Sequence, residues 1–274
     1  GDVYKRQPPT VAITSDKSTL LAGLTGGVQT ANITFTFSEA VNNLTASDIS
    51  VAGGSISTPT QTSANVWTAI YTPNTGVNNV VEAISVASSV ATTSDLAGNL
   101  LTATGSTGTS ITVDDVLPTI ASFSSSTANG YYNVTSGSTI NINATASEAL
   151  QAGAQITVTL NTGGAGRQVV LTLDPTDATH TKLIGTYTVQ TGDNAANLDV
   201  SSYALGGSGG TNTPKDTAGN AMTSIALPTG TNSLGGSKTI VIDTIAPLAI
   251  DLDSTTTGIQ ATASQYYNGG NAGS

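Results

Sequence analysis

Few side chains in this sequence could do chemistry, and their types narrow what that chemistry is. There is one histidine, His180, and no cysteine. No Gly-x-Ser-x-Gly elbow and no His-Glu-x-x-His helix occurs. His180 closes the polar stretch 174–180 and reads as a solvated loop residue. Gly163-Gly164-Ala165-Gly166 has the glycines of a phosphate loop but lacks its Lys-Ser/Thr and a following helix, so it reads as a hairpin turn. Paired carboxylates alone could hydrolyse glycosides. Such sites sit in clefts lined with aromatics, and Trp67 is the only tryptophan here. The chain is not expected to be an enzyme.

What remains is acid. Asp and Glu total 17 against 7 Lys and Arg, for a formal net charge of −10, although only 9% of the 274 residues are charged. So few basic residues cannot cover a phosphate backbone, which excludes nucleic acid as a partner. Sparse, localised carboxylates suit hard cations that take oxygen ligands, Ca²⁺ above all. No apolar run reaches about 18 residues, so no membrane insertion is expected. Without cysteines, each folded unit must be held by its core or by bound metal. No signal sequence opens the chain, as expected for an internal fragment of a secreted repeat protein. The opening Asp2-Val3-Tyr4-Lys5-Arg6-Gln7 differs in style from the rest, and residues 1–7 read as a non-native, adapter-derived segment.

Elements able to position the acids recur along the chain. Pro8-Pro9-Thr10-Val11-Ala12-Ile13 aligns with Leu117-Pro118-Thr119-Ile120-Ala121-Ser122 and with Ala246-Pro247-Leu248-Ala249-Ile250-Asp251. Two of these joints follow a strand ending in Asp, Ser110 to Asp114 and Thr239 to Asp243. Phe37-Ser38-Glu39-Ala40 matches Ala146-Ser147-Glu148-Ala149, and Asp95-Leu96-Ala97-Gly98-Asn99 matches Asp216-Thr217-Ala218-Gly219-Asn220. Tyr131-Tyr132-Asn133 returns as Tyr266-Tyr267-Asn268. Repeats with this period divide the chain into units at 8–116 and 117–245 and a third, cut short, at 246–274.

Within each unit the hydrophobic pattern alternates. Ile33, Phe35 and Phe37 share one face of 31–37, and Asn32, Thr34 and Thr36 the other, the pattern of a half-buried strand. Further strands are expected at 66–71, 80–86, 110–114, 139–144, 155–160, 168–173, 183–189 and 238–242. Gly53-Gly54 marks a hairpin-like turn and residues 73–76 another. No segment carries a 3.6-residue period. About seven short strands in roughly a hundred residues predict an all-β fold, tandem immunoglobulin-like β-sandwiches joined by short Asp/Pro linkers.

The Phe-Ser-Glu-Ala segment, the two Asp-x-Ala-Gly-Asn segments and the closing Ile-Asp-Thr-Ile-Ala-Pro joint, in this order, resemble the bacterial Ig-like repeats of large surface adhesins and secreted repeat proteins. The stretch from Gly192-Asp193-Asn194 to Leu198-Asp199 is similar to those repeats too. The resemblance implies an extracellular, cell-surface location and a stalk whose partners are neighbouring repeats of the same chain. Host or surface glycans would be met through a tip domain outside this sequence. Two departures stand out: Asp114-Asp115 lacks the Thr that follows Asp243, and Ala146 stands where the first unit has Phe37.

Placed on such a sandwich, Glu39 and Glu148 end second strands at the N-terminal pole, where the loop before the last strand brings Asp95 and Asp216. The linker Asp of the preceding unit arrives at the same pole. Like charges converge at a cost unless a cation neutralises them. Candidate ligands at the central joint are Asp114, Asp115, Glu148 and Asp216, with Asn220 as ligand or structural hydrogen bond. Glu39, Asp95 and Asn99 are the first unit's counterparts, and Asp243, with Asp251 and Asp253, belongs to an incomplete third joint. Each acid also has a plainer reading: Asp-x-Ala-Gly-Asn makes an Asx-type turn with glycine at positive φ, and Glu39 and Glu148 are solvated strand ends. The function expected is a structural extender stiffened by Ca²⁺. The alternatives are a carbohydrate- or host-surface-binding module, for which Trp67, Tyr71, Tyr131 and Tyr132 would have to be exposed, or spacers of a large secreted enzyme.

Overall fold

The structure is a computed structural model that describes residues 7–22, 28–134 and 138–246. The first half builds β1 (Val11–Ser15), β2 (Thr19–Leu21), β3 (Ala31–Phe37), β4 (Val41–Asn42), β5 (Ile49–Val51), β6 (Gly54–Ile56), β7 (Thr60–Ser63), β8 (Val66–Pro73), β9 (Val80–Val86), β10 (Ser94–Asp95) and β11 (Thr109–Asp114). One sheet runs β1-β3-β8-β6 with β7 also on β8, and the facing sheet runs β2-β11-β9-β5. The first strand is thus split. β1 lies antiparallel to β3, and after a short break β2 crosses to the other sheet and lies parallel to β11.

The alternation read in the sequence is the mechanism of this sandwich. Ile33, Phe35 and Phe37 point inward from β3, and Ala69 and Tyr71 from β8, to meet Ile84, Ile111 and Val113 of the facing sheet. Burying each large apolar side chain contributes roughly 1.5–3 kcal/mol, which lets a thin core hold with few aromatics. Gly53-Gly54 is not a hairpin turn. β5 and β6, on either side of it, pair with β9 and β8 in different sheets, so the glycines carry the chain across the sandwich edge. Gly53 has φ 56°, and a Cβ there would collide with the Glu82 carboxylate.

The second half repeats the plan with one change. β12 (Ile120–Ser124), β14 (Thr139–Ala146), β17 (Lys182–Thr188), β16 (Arg167–Leu173), β15 (Gln155–Leu160) and β19 (Val200–Leu205) form a single six-stranded sheet in that spatial order. The Gly163–Gly166 turn makes β15 and β16 a hairpin, and β16 bridges strands that the first half leaves in separate sheets. β13 (Gly130–Tyr132), β20 (Ile240–Asp243) and β18 (Asn194–Ala195) close over the same core. β13 lies parallel to β20, repeating the relation of β2 to β11. The fold is all-β and immunoglobulin-like, with a separate hydrophobic core in each half. The third unit falls almost wholly outside the described residues, as do Tyr266, Tyr267 and most of the opening segment.

Candidate cation site at the joint

Where β11 ends, three carboxylates from distant parts of the sequence meet. Asp114 is the last residue of β11, Glu148 follows β14, and Asp216 sits in a bridge with Leu150. One oxygen from each lies within 4.8 Å of the others, and among the described residues this is the acidic trio that converges. Asp114 is 1% exposed and Asp216 equally buried, while Glu148 is half-buried. Asp114 Oδ1 and Glu148 Oε1 are buried without a hydrogen-bond partner. A buried carboxylate oxygen left unpaired is costly, and two such atoms beside a third acid form a pocket of negative charge that no Lys or Arg among the described residues pairs with.

The electrostatics follow. Burial first, and then the Asp216 charge, push the Asp114 carboxyl above its ordinary range. Burial, Asp216 and Asp114, in that order, push Glu148 up, opposed by the hydrogen bond from Asn78. Two oxygens bound to one Ca²⁺ at 2.3–2.6 Å are at most about 5 Å apart, so the spacing of these carboxylates falls within a single calcium coordination sphere. The donor set is all oxygen, as a hard cation requires.

The local sequence explains why the acids stand where they do. Asp216 accepts at Oδ1 from the backbone N–H groups of Gly219 (2.6 Å) and Asn220 (2.8 Å), and at Oδ2 from Asn220 Nδ2 (2.8 Å). Gly219 has φ 117°, a conformation that glycine takes without Cβ strain. Asp95 repeats the turn. Its Oδ1 accepts from Ala97 and Asn99 N–H at 2.8 Å each, and its Oδ2 from Asn99 Nδ2 at 2.6 Å. That last bond is the main cause holding the Asp95 carboxyl below its ordinary range. The turn reading of Asp-x-Ala-Gly-Asn therefore holds at both positions, and at Asp216 the turn also presents the acid to the joint.

Other residues proposed from sequence stand elsewhere. Asp115, one residue past the end of β11, is not among the three converging acids. Its Oδ2 accepts from Gly76 N–H at 3.0 Å and its Oδ1 from Val77 N–H at 2.6 Å, so it braces the β8–β9 loop. Asn220 stands behind the cluster. Its Oδ1 accepts from Ala22 N–H at 3.0 Å, and its Nδ2 donates to Asp114 O at 3.0 Å as well as to Asp216. Glu39 is exposed, and no converging trio includes it, Asp95 or Asp243 among the described residues. Asp243 ends β20 opposite Asn194. Asp251 and Asp253 lie outside the described residues.

Sequence reasoning missed the residues of the first half that grip the second. Ala22 acts through its backbone, which no side-chain pattern reveals. Asn78, whose Nδ2 donates to Glu148 Oε2 at 3.3 Å, sits in an ordinary Gly-Val-Asn-Asn loop. It also missed the role of Asp193, buried between Arg167 Nε (2.7 Å) and the Tyr187 hydroxyl (2.6 Å). The motif around Asp193 drew notice only by resemblance. Among the described residues the four candidate aromatics form no exposed platform: Tyr71 is fully buried, Trp67 and Tyr132 pack half-buried on the first and second cores, and Tyr131, 84% exposed, stands in solvent.

The split first strand and the two packed sheets are those of an immunoglobulin-like β-sandwich. Residues 5–114 match the family model of the bacterial Ig-like domain, a stretch that takes in the whole first sandwich. No curated protein matches the chain. Among solved structures, the chain is similar to FdeC, described as a broadly conserved Escherichia coli adhesin, at 12% identity and a TM-score of 0.40, over 86% of this chain and 65% of that one. It is similar to the Yersinia pseudotuberculosis adhesin InvE at 14% identity and a TM-score of 0.27, over 79% of this chain and 59% of that one. A structure of DIP-gamma IG1+IG2 aligns at 13% identity and a TM-score of 0.26, over 67% and 81%. The chain thus spans less than two thirds of the length of either adhesin structure.

Proposed function

We propose that this chain is an extender segment of a bacterial surface or secreted adhesin, and that Ca²⁺ bound by Asp114, Glu148 and Asp216 stiffens its joint. The observation that supports this reading is the pair of buried, unpartnered carboxylate oxygens, Asp114 Oδ1 and Glu148 Oε1, facing a third acid across the two halves. A cation there ties the last strand of one sandwich to two loops of the next. It replaces mutual repulsion with shared ligation. Sandwiches joined in series make a quasi-one-dimensional rod, whose stiffness is set at the joints. The same reading takes the chain as non-enzymatic and extracellular, with neighbouring repeats as its contacts.

Calorimetric titration of the chain with Ca²⁺, paired with thermal melts in calcium and in chelator, tests it. Binding with a higher Tm in calcium, lost on Asp216→Ala, is the expected result. Absence of binding at millimolar calcium would remove the cation and leave a plain spacer. The glycan-binding alternative has little support, since Tyr71 is buried and Trp67 faces the core.

A further inference from the structure

We propose that Asn220 is a cation-independent clasp, the positioning residue that holds the two sandwiches in register and so prearranges the acidic site. In its cation-binding consequence this rests on the reading above, but the clasp itself does not. Both ends of one carboxamide are engaged, and on both sides of the joint. On the side of the first sandwich, Oδ1 takes the Ala22 N–H just past β2, and Nδ2 donates to the carbonyl of Asp114 at the end of β11, each at 3.0 Å. On its own side, Nδ2 also donates to Asp216 Oδ2 and the backbone N–H donates to Asp216 Oδ1, both at 2.8 Å. Asn220 is therefore bonded to the backbone of one candidate ligand and the side chain of another.

The residue type follows from the task. The position needs one acceptor and two donors on a short side chain. Aspartate has no donor and serine has too few. β2 and β11 are parallel neighbours, with Leu21 opposite Asp114, so a single amide reaches the ends of both. A Cβ at Gly219 would make only ordinary contact with Leu21 Cδ1, at 3.7 Å, so the glycine serves its φ of 117° rather than a need for space. Asn220 is 4% exposed, so water does not compete for these bonds. Its partners across the joint are neutral backbone groups, which neither salt nor chelator removes. Asn99 provides the internal comparison, making the same turn bonds to Asp95 away from this joint.

The test is a spin-label distance measurement across the joint. The chain lacks cysteine, so Thr60→Cys and Ser202→Cys, on exposed strand positions of the two sandwiches, label it uniquely. In chelator, the parent should give one narrow distance distribution and Asn220→Ala a distribution at least about twice as wide. Asn99→Ala, which disturbs an equivalent turn but not the joint, should stay narrow. Glu148→Gln should also stay narrow in chelator. Calcium should renarrow Asn220→Ala, with affinity weakened about tenfold, the factor that one or two lost neutral hydrogen bonds correspond to. A parent already broad in chelator, an Asn220→Ala chain as narrow as the parent, or an Asn99→Ala chain equally broad would each overturn the clasp. Should calcium alter no variant, the cation reading fails while the chelator comparison still decides the clasp.

Discussion

Replacing Glu148 with Gln should strengthen the protein in chelator and abolish its response to calcium. Glu148 lies within 4.8 Å of both Asp216, in its own sandwich, and Asp114, across the joint. Two unit charges at that distance repel by about 3.5 kcal/mol at an effective dielectric constant near 20. Only the Glu148–Asp216 pair acts within the second sandwich, so only that term bears on its unfolding. The Glu148–Asp114 term acts on the joint. Glu148 is half-buried and takes up a proton more readily than usual, which already relieves part of the repulsion. The expected gain is therefore about 1–2 kcal/mol rather than the full Coulomb figure. Gln keeps the length of the side chain and an oxygen for Asn78, and it can donate to Asp114. For a sandwich of this size the gain corresponds to roughly 4–8 °C in Tm. The assay is paired thermal melts in chelator and in millimolar calcium: the variant should melt above the parent in chelator, and adding calcium should reverse the order. A variant that melts lower than the parent in chelator would refute the reasoning, because the glutamate would then be stabilising without any cation.

The raised carboxyls set a pH dependence. Asp114 and Glu148 hold protons more tightly in the folded protein than their ordinary values of 3.8 and 4.5 allow, so in chelator stability should fall as pH rises through the window above those values. Calcium affinity should weaken as pH falls through the same window, which calorimetry at two pH values would detect. Asp48, Asp177 and Asp193 are depressed and act oppositely, their contribution being lost only as pH falls below the ordinary range. Arg167→Met should cost the second sandwich about 2 kcal/mol, read as a lower urea midpoint. It leaves Asp193, whose side chain is 4% exposed, without its cation, while the partly exposed Arg167 moderates the loss. Phe35→Ala should cost about 3–5 kcal/mol in the first sandwich equally with and without calcium, since Phe35 is a core residue and not one of the three converging acids.

The fold was legible because its strands are half-buried and alternate. Residues 31–37, 80–86 and 155–160 are strands with the bounds that their periodicity indicates. Short edge segments such as β6 and β13 carry too few inward residues to leave a pattern. The Gly53-Gly54 pair was misread because a glycine pair has the same composition in a hairpin as in a crossover, and only the partners of the flanking strands distinguish them. In the site, side chains that recur at fixed places in the repeat pointed to Asp114, Glu148 and Asp216. Asp115 could not be told from Asp114 by sequence, since the choice depends on which face of the strand end meets the next sandwich. The contacts of Ala22 and Asn78 were invisible, because one is made by backbone and the other by an unremarkable loop amide.

The parallel pairing of the split first strand with the last strand has a mechanical consequence. The chain enters the first sandwich through the split strand β1–β2 and leaves it through β11, and because β2 and β11 run the same way, tension that reaches β2 drags these neighbours in opposite directions along their own axes. The inter-strand bonds, including Thr112 N–H to Ser18 O at 2.9 Å, are then loaded together rather than peeled one at a time. The pairs Thr19–Thr112, Leu20–Val113 and Leu21–Asp114 must yield in one event. β13 and β20 repeat the arrangement. Forced extension is governed by the height of that barrier rather than by equilibrium stability, so a sandwich only modestly stable in a melt can still resist a sudden pull.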